Sequence, residues 1–260
     1  MALIILAIVV LSYAVMIEPY MLKVTVYKLA NKQLSGVRIV FATDFHIAPY
    51  VWERKRLRNI IEAVNEQNAD LVILGGDYVN RHSKISTLEP EEIAANLQQI
   101  RAVKAAVLGN HDSYYGKNEV RTALENVGII VLDNDNMVFD VMGRNITIAG
   151  VSDYYTDTPD VEKALANTKN PIIFVTHSPD VFQQLADKNP DVALAGHTHG
   201  GQVVLPLIGP LLVPSDYGRK YAYGLQYERG IPLITSSGLG TSLLPIRFNN
   251  VPEIVVLEFE

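Results

Sequence analysis

The feature that most constrains this fold is a regular alternation of short apolar segments with longer segments of helical periodicity. The apolar segments read as buried strands and are VRIVFAT (37–43), DLVILGG (70–76), AAVLG (105–109), PIIFVT (171–176) and VALAG (192–196). Helical periodicity or helix end signals mark the intervening segments 53–67, 90–100, 118–128 and 180–188. Apolar strands that alternate with helices predict a mostly parallel sheet covered by helices, which is an α/β fold.

The other segments add antiparallel parts to this sheet. Residues 129–151 are predicted to form short strands separated by turns, and a short helix is expected at 160–167. Further strands are expected at 24–29, where alternation indicates a sheet edge, and near 201–205, 232–236 and 253–259. A stretch rich in proline and glycine covers 206–230. We expect residues 21–260 to form one domain.

Composition excludes several classes of protein. Hydrophobic residues make up 48% and charged residues 19% of the 260 residues, which is too apolar for a disordered chain. The sequence has no cysteine, which excludes disulfides, thiolate metal sites and a cysteine nucleophile. The net charge of −6 argues against a nucleic-acid partner, because such proteins present a basic surface.

The N-terminal segment is apolar enough to enter a membrane. Residues 1–17 carry no charged side chain, and Glu18-Pro19 ends the segment. As a helix it would reach about 25 Å, slightly less than the ~30 Å hydrocarbon core. We interpret residues 1–20 as a membrane anchor; a cleaved signal peptide, giving an exported form, and a buried core helix are the alternatives. Positive residues follow the segment but do not precede it, so the domain is expected on the cytoplasmic side; they are Lys23, Lys28, Lys32 and Arg38.

Side chains that commonly bind metals follow the five buried strands. They are Asp44 and His46, Asp77, Asn110-His111-Asp112, His177, and His197 and His199. Ligands bind at the carboxyl ends of strands in open α/β sheets, and five of the six histidines lie there, with His82 as the exception. Each residue alone could be a helix cap, a turn aspartate or a structural histidine. Together and in this order they predict a metal site.

The spacing of these residues favours two metal ions. Asp44 with His46, and His197 with His199, are two positions apart, so in an extended chain both members would point to the same side. Carboxylate, imidazole and amide oxygen ligands suit Mn²⁺, Fe²⁺ or Zn²⁺. Seven such groups are too many for one tetrahedral ion, and they suit two ions that share a bridging carboxylate; the seven are Asp44, His46, Asp77, Asn110, His177, His197 and His199.

Five motifs between residues 44 and 199 carry a family resemblance. They are Asp44-x-His46, Gly76-Asp77-x-x-Asn80, Gly109-Asn110-His111-Asp112, His177 and Gly196-His197-Thr198-His199. In this order they resemble the calcineurin-like metallophosphoesterase superfamily. The apolar N-terminus and segments 196–206, 214–219 and 236–248 are further similar to a membrane-anchored bacterial branch of it. The resemblance implies a four-layer α/β/β/α sandwich, with the N-terminal apolar helix in the bacterial inner membrane.

The resemblance also implies a role for each site residue. The first metal would be held by Asp44, His46, Asp77 and His199. The second would be held by Asp77, Asn110, His177 and His197, so that Asp77 bridges. His111 would be catalytic without binding metal, and Asp112 would orient it by accepting a ring N–H. Asn80 would have a supporting part. Mn²⁺ is the expected metal, with Fe²⁺ or Zn²⁺ as alternatives.

The expected reaction is hydrolysis of a phosphodiester or pyrophosphate, in which a metal-bridged hydroxide attacks phosphorus. A lipid-linked substrate such as UDP-2,3-diacylglucosamine, from lipid A biosynthesis, fits the related branch. A general phosphodiesterase that acts on nucleotides or cell-envelope polymers, and a non-catalytic metal-binding scaffold, are the alternatives.

Substrate contacts are sought in the last third of the chain. The apolar stretch 203–214 either packs on the core or forms an exposed lip that meets lipid. Arg219 and Arg247 could bind a phosphate, with Tyr217 beside them, or could be ordinary surface residues. Tyr154 and Tyr155 are weaker candidates for the wall of the cleft.

Overall fold

The computed structural model describes residues 1–80, 84–169, 171–185 and 189–260. His82 lies outside these ranges. The helices are α1 (Ala2–Met16), α2 (Val51–Glu66), α3 (Pro90–Leu97), α4 (Asn110–Asn126) and α5 (Val161–Ala164). The strands are β1 (Lys23–Leu29), β2 (Arg38–Ala42), β3 (Leu71–Leu74), β4 (Val103–Ala106), β5 (Ile130–Val131), β6 (Asp135–Val141), β7 (Arg144–Gly150), β8 (Ile172–Val175), β9 (Val192–Ala195), β10 (Val204–Leu205), β11 (Gly209–Pro210), β12 (Gly224–Glu228), β13 (Ile231–Thr235) and β14 (Glu253–Phe259).

The first sheet has the order β1-β14-β2-β3-β4-β5. Strands β2 to β5 are parallel, as the alternation predicts, and β14 runs antiparallel to β2. Strand β1 is at the edge, as its half-exposed alternation indicates. Helices α2, α3 and α4 cover one face of this sheet, where Leu57, Ile93 and Leu124 share a core with Val40 of β2.

The second sheet has the order β12-β13-β9-β8-β7-β6. Its four inner strands are parallel, and β12 and β6 are antiparallel edge strands. Phe41 and Ile73 of the first sheet meet Ile148 and Ile173 of the second in a core between the sheets. Phe182 and α5 cover the outer face. The four-layer α/β/β/α arrangement is therefore confirmed, and it brings the carboxyl ends of both sets of parallel strands to one edge.

Two helices differ from their predicted positions. Helix α4 begins at Asn110 instead of 118 and bends at Gly116, where φ is 153°. The early start places Asn110, His111 and Asp112 in the first turn of a helix. The segment predicted as a helix over 180–188 is a 3₁₀ helix, Pro179–Leu185, and residues 186–188 lie outside the described ranges.

Helix α1 stands out from the domain. The segment Ala2–Tyr20 is long and apolar enough to cross a membrane by length and composition, with a mean hydropathy of 2.3. Most of its side chains are exposed, so the alternative of a buried core helix is wrong. Its C-terminal end contacts the domain, because the Arg247 backbone N–H donates to the Ala14 carbonyl at 2.9 Å.

The apolar stretch 203–214 does not pack in the core. It contains the short hairpin β10–β11, and its large side chains Leu207, Ile208, Leu211 and Leu212 are exposed to solvent. A backbone bridge between Val203 and Phe248 holds the hairpin beside the C-terminal loop.

Candidate metal centre

The residues after β2, β3 and β9 adopt an unusual backbone conformation. Asp44, His46, Asp77, His197 and His199 all have φ between 45° and 68°. This left-handed conformation costs of order 1–3 kcal/mol for a residue with a side chain and concentrates at functional sites. The expected extended backbone is therefore wrong for both pairs, although Asp44 and His46 still enter the same group of side chains. The turns instead send His197 and His199 into two different groups of side chains.

The first group consists of Asp44, His46 and His199. The Nε2 atoms of the two imidazoles face each other at 3.1 Å. Asp44 Oδ1 lies 3.4 Å from His199 Nε2 and 3.9 Å from His46 Nε2. All three side chains are buried. Two nitrogens and one carboxylate oxygen thus converge on one small volume.

The second group consists of Asp77, His177 and His197, whose ligand atoms lie within 4.8 Å of one another. Asp77 Oδ2 is 3.2 Å from His177 Nε2 and also 3.4 Å from His46 Nε2 in the first group. One carboxylate oxygen therefore lies close to a histidine of each group.

Glycines allow the loops to approach these carboxylates closely. A Cβ atom at Gly109 would overlap the carboxylate of Asp77, and one at Gly196 would overlap that of Asp44. Both glycines immediately precede predicted ligands, Asn110 and His197. A larger residue at either position would clash with a carboxylate of the site, which explains why glycine precedes Asn110 and His197.

Hydrogen bonds orient two of the histidine rings. His177 Nδ1 is 2.8 Å from the Gly75 carbonyl, and His111 Nδ1 is 2.7 Å from the Asn80 carbonyl. Because a carbonyl only accepts, each Nδ1 carries the proton. This arrangement leaves Nε2 of His177 directed at Asp77, which is the usual arrangement of a metal-binding histidine.

Burial and mutual charge set the protonation of the groups. Burial lowers the pKa of His46 and of His197 to about 3, and lowers the pKa of His199 well below its usual value. Burial would raise the pKa of Asp77, but His177 and His111 outweigh it and hold that pKa well below its usual value. Burial opposes protonation of His177, yet the adjacent Asp77 raises the pKa of His177 well above normal. At neutral pH three imidazoles are therefore uncharged and have a free lone pair, as metal binding requires.

The residues fit a divalent metal on two further counts. Metal–ligand bonds of about 2.1 Å place neighbouring ligand atoms roughly 3.0–3.5 Å apart, and several of the N···N and N···O distances above fall in this range. The side-chain oxygen of Asn110 is buried and has no hydrogen-bond partner among the described residues. An orphaned buried acceptor beside this cluster is what an amide metal ligand would leave in the absence of the ion.

The structure corrects the role expected for Asp112. Its carboxylate does not accept a ring N–H from His111. It accepts four backbone N–H groups instead, from Asp77, Tyr78, Val79 and Gly109, at 2.8–3.3 Å. Asp112 is the third residue of α4, so it caps the helix and at the same time holds the loop that carries Asp77.

The expected support from Asn80 is given by its backbone. The Asn80 carbonyl, and not its side chain, contacts the His111 ring. The Asn80 side chain donates to the Ser86 carbonyl at 3.1 Å. His111 Nε2 also lies 3.4 Å from Ser242 Oγ, which places the C-terminal loop against the ring.

The predicted phosphate-binding role of Arg247 is wrong. Its side chain is fully buried, and its guanidinium donates to the carbonyls of Ser237, Gly238, Gly240 and Asn250. Burial lowers the pKa of Arg247 to about 10. Arg247 thus satisfies the carbonyls of the C-terminal loop and is not available to a substrate.

Arg219 and Tyr217 are exposed but are occupied elsewhere. Arg219 donates to the Ile208 carbonyl at 2.7 Å and so supports the hairpin. The Tyr217 ring packs edge-to-face on Tyr221. Neither contact brings these side chains to the metal groups.

Tyr155 lies closer to the site than sequence reasoning indicated. Its ring stacks on the His197 imidazole, with centroids 4.7 Å apart and 26° between the planes. Its hydroxyl donates to Asp180 Oδ2 at 2.8 Å. Asp180 also accepts from Ser215 and the Asp216 backbone, and Tyr154 donates to Asp216 at 3.0 Å. No short motif marks such a stack, because Tyr155 is 42 positions from His197.

Comparison with known proteins agrees with this geometry. Residues 37–201 match the model of the family described as calcineurin-like phosphoesterase. Over 94% of its length the chain is 29% identical to the metallophosphoesterase YkuE of Bacillus subtilis (strain 168), covering 88% of that protein. It is 31% identical to the phosphodiesterase YaeI of Escherichia coli (strain K12), over 85% of this chain and 81% of that one.

A further relative and a solved structure extend the comparison. The transmembrane protein with metallophosphoesterase domain of Danio rerio is 32% identical over 86% of this chain and 53% of its own length. The structure of Haemophilus influenzae NAD nucleotidase superposes with a TM-score of 0.52 at 16% identity, over 78% of this chain and 45% of that one, and shows a shared fold. The chain belongs to the calcineurin-like phosphoesterase family and is a metal-dependent phosphoesterase.

Proposed function

We propose that the chain is a dinuclear metal-dependent hydrolase of phosphodiester or pyrophosphate bonds. The observation that carries this proposal is the position of Asp77 Oδ2 between two groups of ligand atoms. The first ion would be held by Asp44, His46, Asp77 and His199, and the second by Asp77, Asn110, His177 and His197. Four imidazoles favour Mn²⁺, Fe²⁺ or Zn²⁺ over Mg²⁺. When bound, such ions activate water and neutralise phosphate charge.

The chain's own residues would position the reacting groups. The Asn80 carbonyl accepts from His111 Nδ1, and a ring nitrogen of His111 lies within 4.8 Å of ligand atoms of His46 and Asp77, so this ring could reach a leaving-group oxygen of a bound substrate. His111 would donate a proton or a hydrogen bond there, as a general acid does. Asp112 would keep Asp77 and the first turn of α4 in place through its four N–H contacts. Tyr155 would fix the orientation of the His197 ring by stacking on it.

A lipid-linked substrate is the finer part of the proposal. A cavity of about 380 Å³ is lined by His46 and Asn80 together with Val15, Tyr20 and Leu244. A phosphoester at the metal groups could therefore have an apolar part directed toward α1. A compound such as UDP-2,3-diacylglucosamine has this division into a phosphate part and an acyl part.

Membrane anchoring through residues 1–17 belongs to the same proposal. Helix α1 is exposed and uncharged, and the transmembrane name of the Danio rerio relative is consistent with an anchor. The lysines after α1 favour a cytoplasmic domain in a bacterial inner membrane.

A panel of substrates tests the proposed reaction. The metal-loaded protein is assayed with bis-p-nitrophenyl phosphate, p-nitrophenyl phosphate and UDP-2,3-diacylglucosamine. We expect the diester to be cleaved faster than the monoester, and release of UMP from the third compound would support the lipid-linked substrate. Faster cleavage of the monoester would contradict the diester or pyrophosphate assignment. The His111→Ala variant is the control for contaminating activity.

A further inference from the structure

Exposed apolar side chains gather from three separate parts of the chain. The hairpin contributes Leu207, Ile208, Leu211 and Leu212, and the C-terminal loop contributes Leu243 and Leu244. Helix α1 is the third part. Large aliphatic side chains are costly to expose to water, and a group of them indicates a contact surface. We call the hairpin, the loop 241–245 and the C-terminal end of α1 the apolar rim.

Hydrogen bonds hold the parts of the apolar rim side by side. Gln202 Nε2 donates to the Leu244 carbonyl at 3.1 Å, and its Oε1 accepts the Ser242 N–H at 2.7 Å. Two backbone bonds join Gln202 and Val204 to Phe248. The Arg247 N–H bonds to Ala14 at the end of α1. The hairpin and the loop are therefore fixed to each other and to the helix end.

The apolar rim borders the opening of the metal site. Leu243, Leu244 and Val15 line the same 380 Å³ cavity as His46. Ser242, next to these leucines in the chain, is 3.4 Å from the His111 ring. The loop 241–245 and the C-terminal end of α1 thus share a cavity with His46 of the first group.

A lipid bilayer fits the apolar rim better than a protein partner. The surface is continuous with a helix that has the length and hydropathy of a membrane span. Aromatic side chains lie where that helix meets the domain. Tyr20 and Trp52 line a common cavity. The Tyr50 ring stacks on the Trp52 ring, with centroids 4.6 Å apart. Tyrosine and tryptophan are enriched at the membrane–water interface.

We infer that the apolar rim docks on the bilayer and delivers a lipid phosphoester sideways from the membrane into the cavity beside His46. The hairpin would enter the interface next to α1, and the acyl part of the substrate would remain against Leu243, Leu244 and Val15. The inference deepens the proposed function and rests on its anchored, lipid-linked form. It adds the surface and the route by which the substrate enters.

Fluorescence quenching tests the docking without relying on activity. The only tryptophan, Trp52, is changed to phenylalanine, and a new tryptophan is placed by Leu207→Trp or, as the matched control, by Asn145→Trp. Asn145 is exposed near the start of β7, at the end of the strands opposite the metal groups. The full chain is reconstituted in vesicles of phosphatidylcholine, either ordinary or brominated on one acyl chain.

We expect brominated lipid to quench the Leu207→Trp protein and to leave the Asn145→Trp protein unchanged. Equal fluorescence of the Leu207→Trp protein in both kinds of vesicle would overturn the inference. Equal quenching of both proteins would also overturn it, because no single face would then meet the lipid.

Kinetics test the delivery route. The full chain is assayed on methyl p-nitrophenyl phosphate and on hexadecyl p-nitrophenyl phosphate in the same vesicles. Leu207→Ser/Leu211→Ser should lower kcat/KM about tenfold for the hexadecyl diester, because less apolar surface would enter the interface to hold the cavity opening against the bilayer that contains this substrate, and should leave the methyl diester unchanged. Val138→Ser, an exposed site on β6, is the control. Equal loss on both diesters would overturn the route. If wild-type protein cleaves neither diester, the proposed function fails, and the quenching result still decides the docking.

Discussion

Replacing Asp112 by asparagine gives a sharp test of how this site is built. Each carboxylate oxygen accepts two backbone N–H groups: Oδ1 from Tyr78 and Val79, and Oδ2 from Asp77 and Gly109. An asparagine side chain can accept on one side only, and its NH₂ group would face two N–H donors on the other. Asp112 is completely buried, so water cannot take the place of the missing acceptor.

The expected cost follows from the two N–H donors that would be left without an acceptor. A buried donor without a partner costs about 1–3 kcal/mol, so two of them cost roughly 2–6 kcal/mol before the removed charge is counted. Native domains are stable by about 5–15 kcal/mol. Asp112→Asn should therefore fold weakly and should release metal, because Asp77 is no longer held between the two groups.

Urea unfolding of the chelator-treated protein measures this cost, and elemental analysis measures the bound metal. His111→Ala is the comparison, since loss of that ring removes one hydrogen bond to the Asn80 carbonyl and should reduce activity while lowering the unfolding free energy less than Asp112→Asn does. If Asp112→Asn unfolds at the wild-type urea concentration, keeps its metals and loses only kcat, Asp112 acts on the His111 ring and its role as a backbone cap is refuted.

Three further predictions concern the ligands and their supports. Asn110→Ala should lower occupancy of the second metal and reduce metal affinity or activity about 10–100-fold, whereas His111→Ala should keep both metals and lower kcat roughly 10²–10⁴-fold; metal loss from His111→Ala alone would reverse these roles. Chelation should abolish activity and Mn²⁺ should restore it better than Mg²⁺, so full activity with Mg²⁺ in metal-free protein would contradict the histidine-rich site. Tyr155→Leu should weaken the second metal about tenfold by freeing the His197 ring, and Tyr155→Phe should weaken it less; equal metal titrations for wild type and both variants would show that the stack has no such role.

Sequence reasoning found the side chains that lie together in the two groups because their positions follow a local pattern. Asp44, Asp77 and His177 each follow an apolar strand, and parallel strands bring their carboxyl ends to one edge. The sequence could not show the left-handed turns at His197 and His199, since backbone conformation after a strand depends on the packing of neighbouring loops. The spacing argument therefore expected the two histidines to point together, whereas the structure places them in separate groups, as the family resemblance implied.

The errors involve residues whose partners are distant in the chain. The sequence alone does not show whether Arg247 binds a phosphate or backbone carbonyls. That depends on how the C-terminal loop folds around its side chain. The family resemblance implied that Asp112 accepts a ring N–H from His111, its neighbour in the chain. The helix beginning at Asn110 turns the carboxylate toward the loop after β3 instead. The start of that helix was missed because HDSYYG has no helical pattern of apolar residues.

The exposure of 203–214 also lay beyond sequence reasoning. An apolar stretch with prolines is compatible with a core segment or with a surface hairpin, and hydrophobicity alone does not distinguish them. The structure resolves this alternative through the exposed Leu207 and Leu211.

The central claim is that two metal ions share Asp77, and anomalous X-ray diffraction from crystals grown with Mn²⁺ tests it most directly. We predict two anomalous peaks, one beside Asp44, His46 and His199 and the other beside Asn110, His177 and His197, with Asp77 Oδ2 in contact with both. Peak heights from a crystal of Asp77→Asn give the matched comparison, in which at least one peak should weaken. A single peak at saturating Mn²⁺, or two peaks of which only one contacts Asp77, would contradict the dinuclear account.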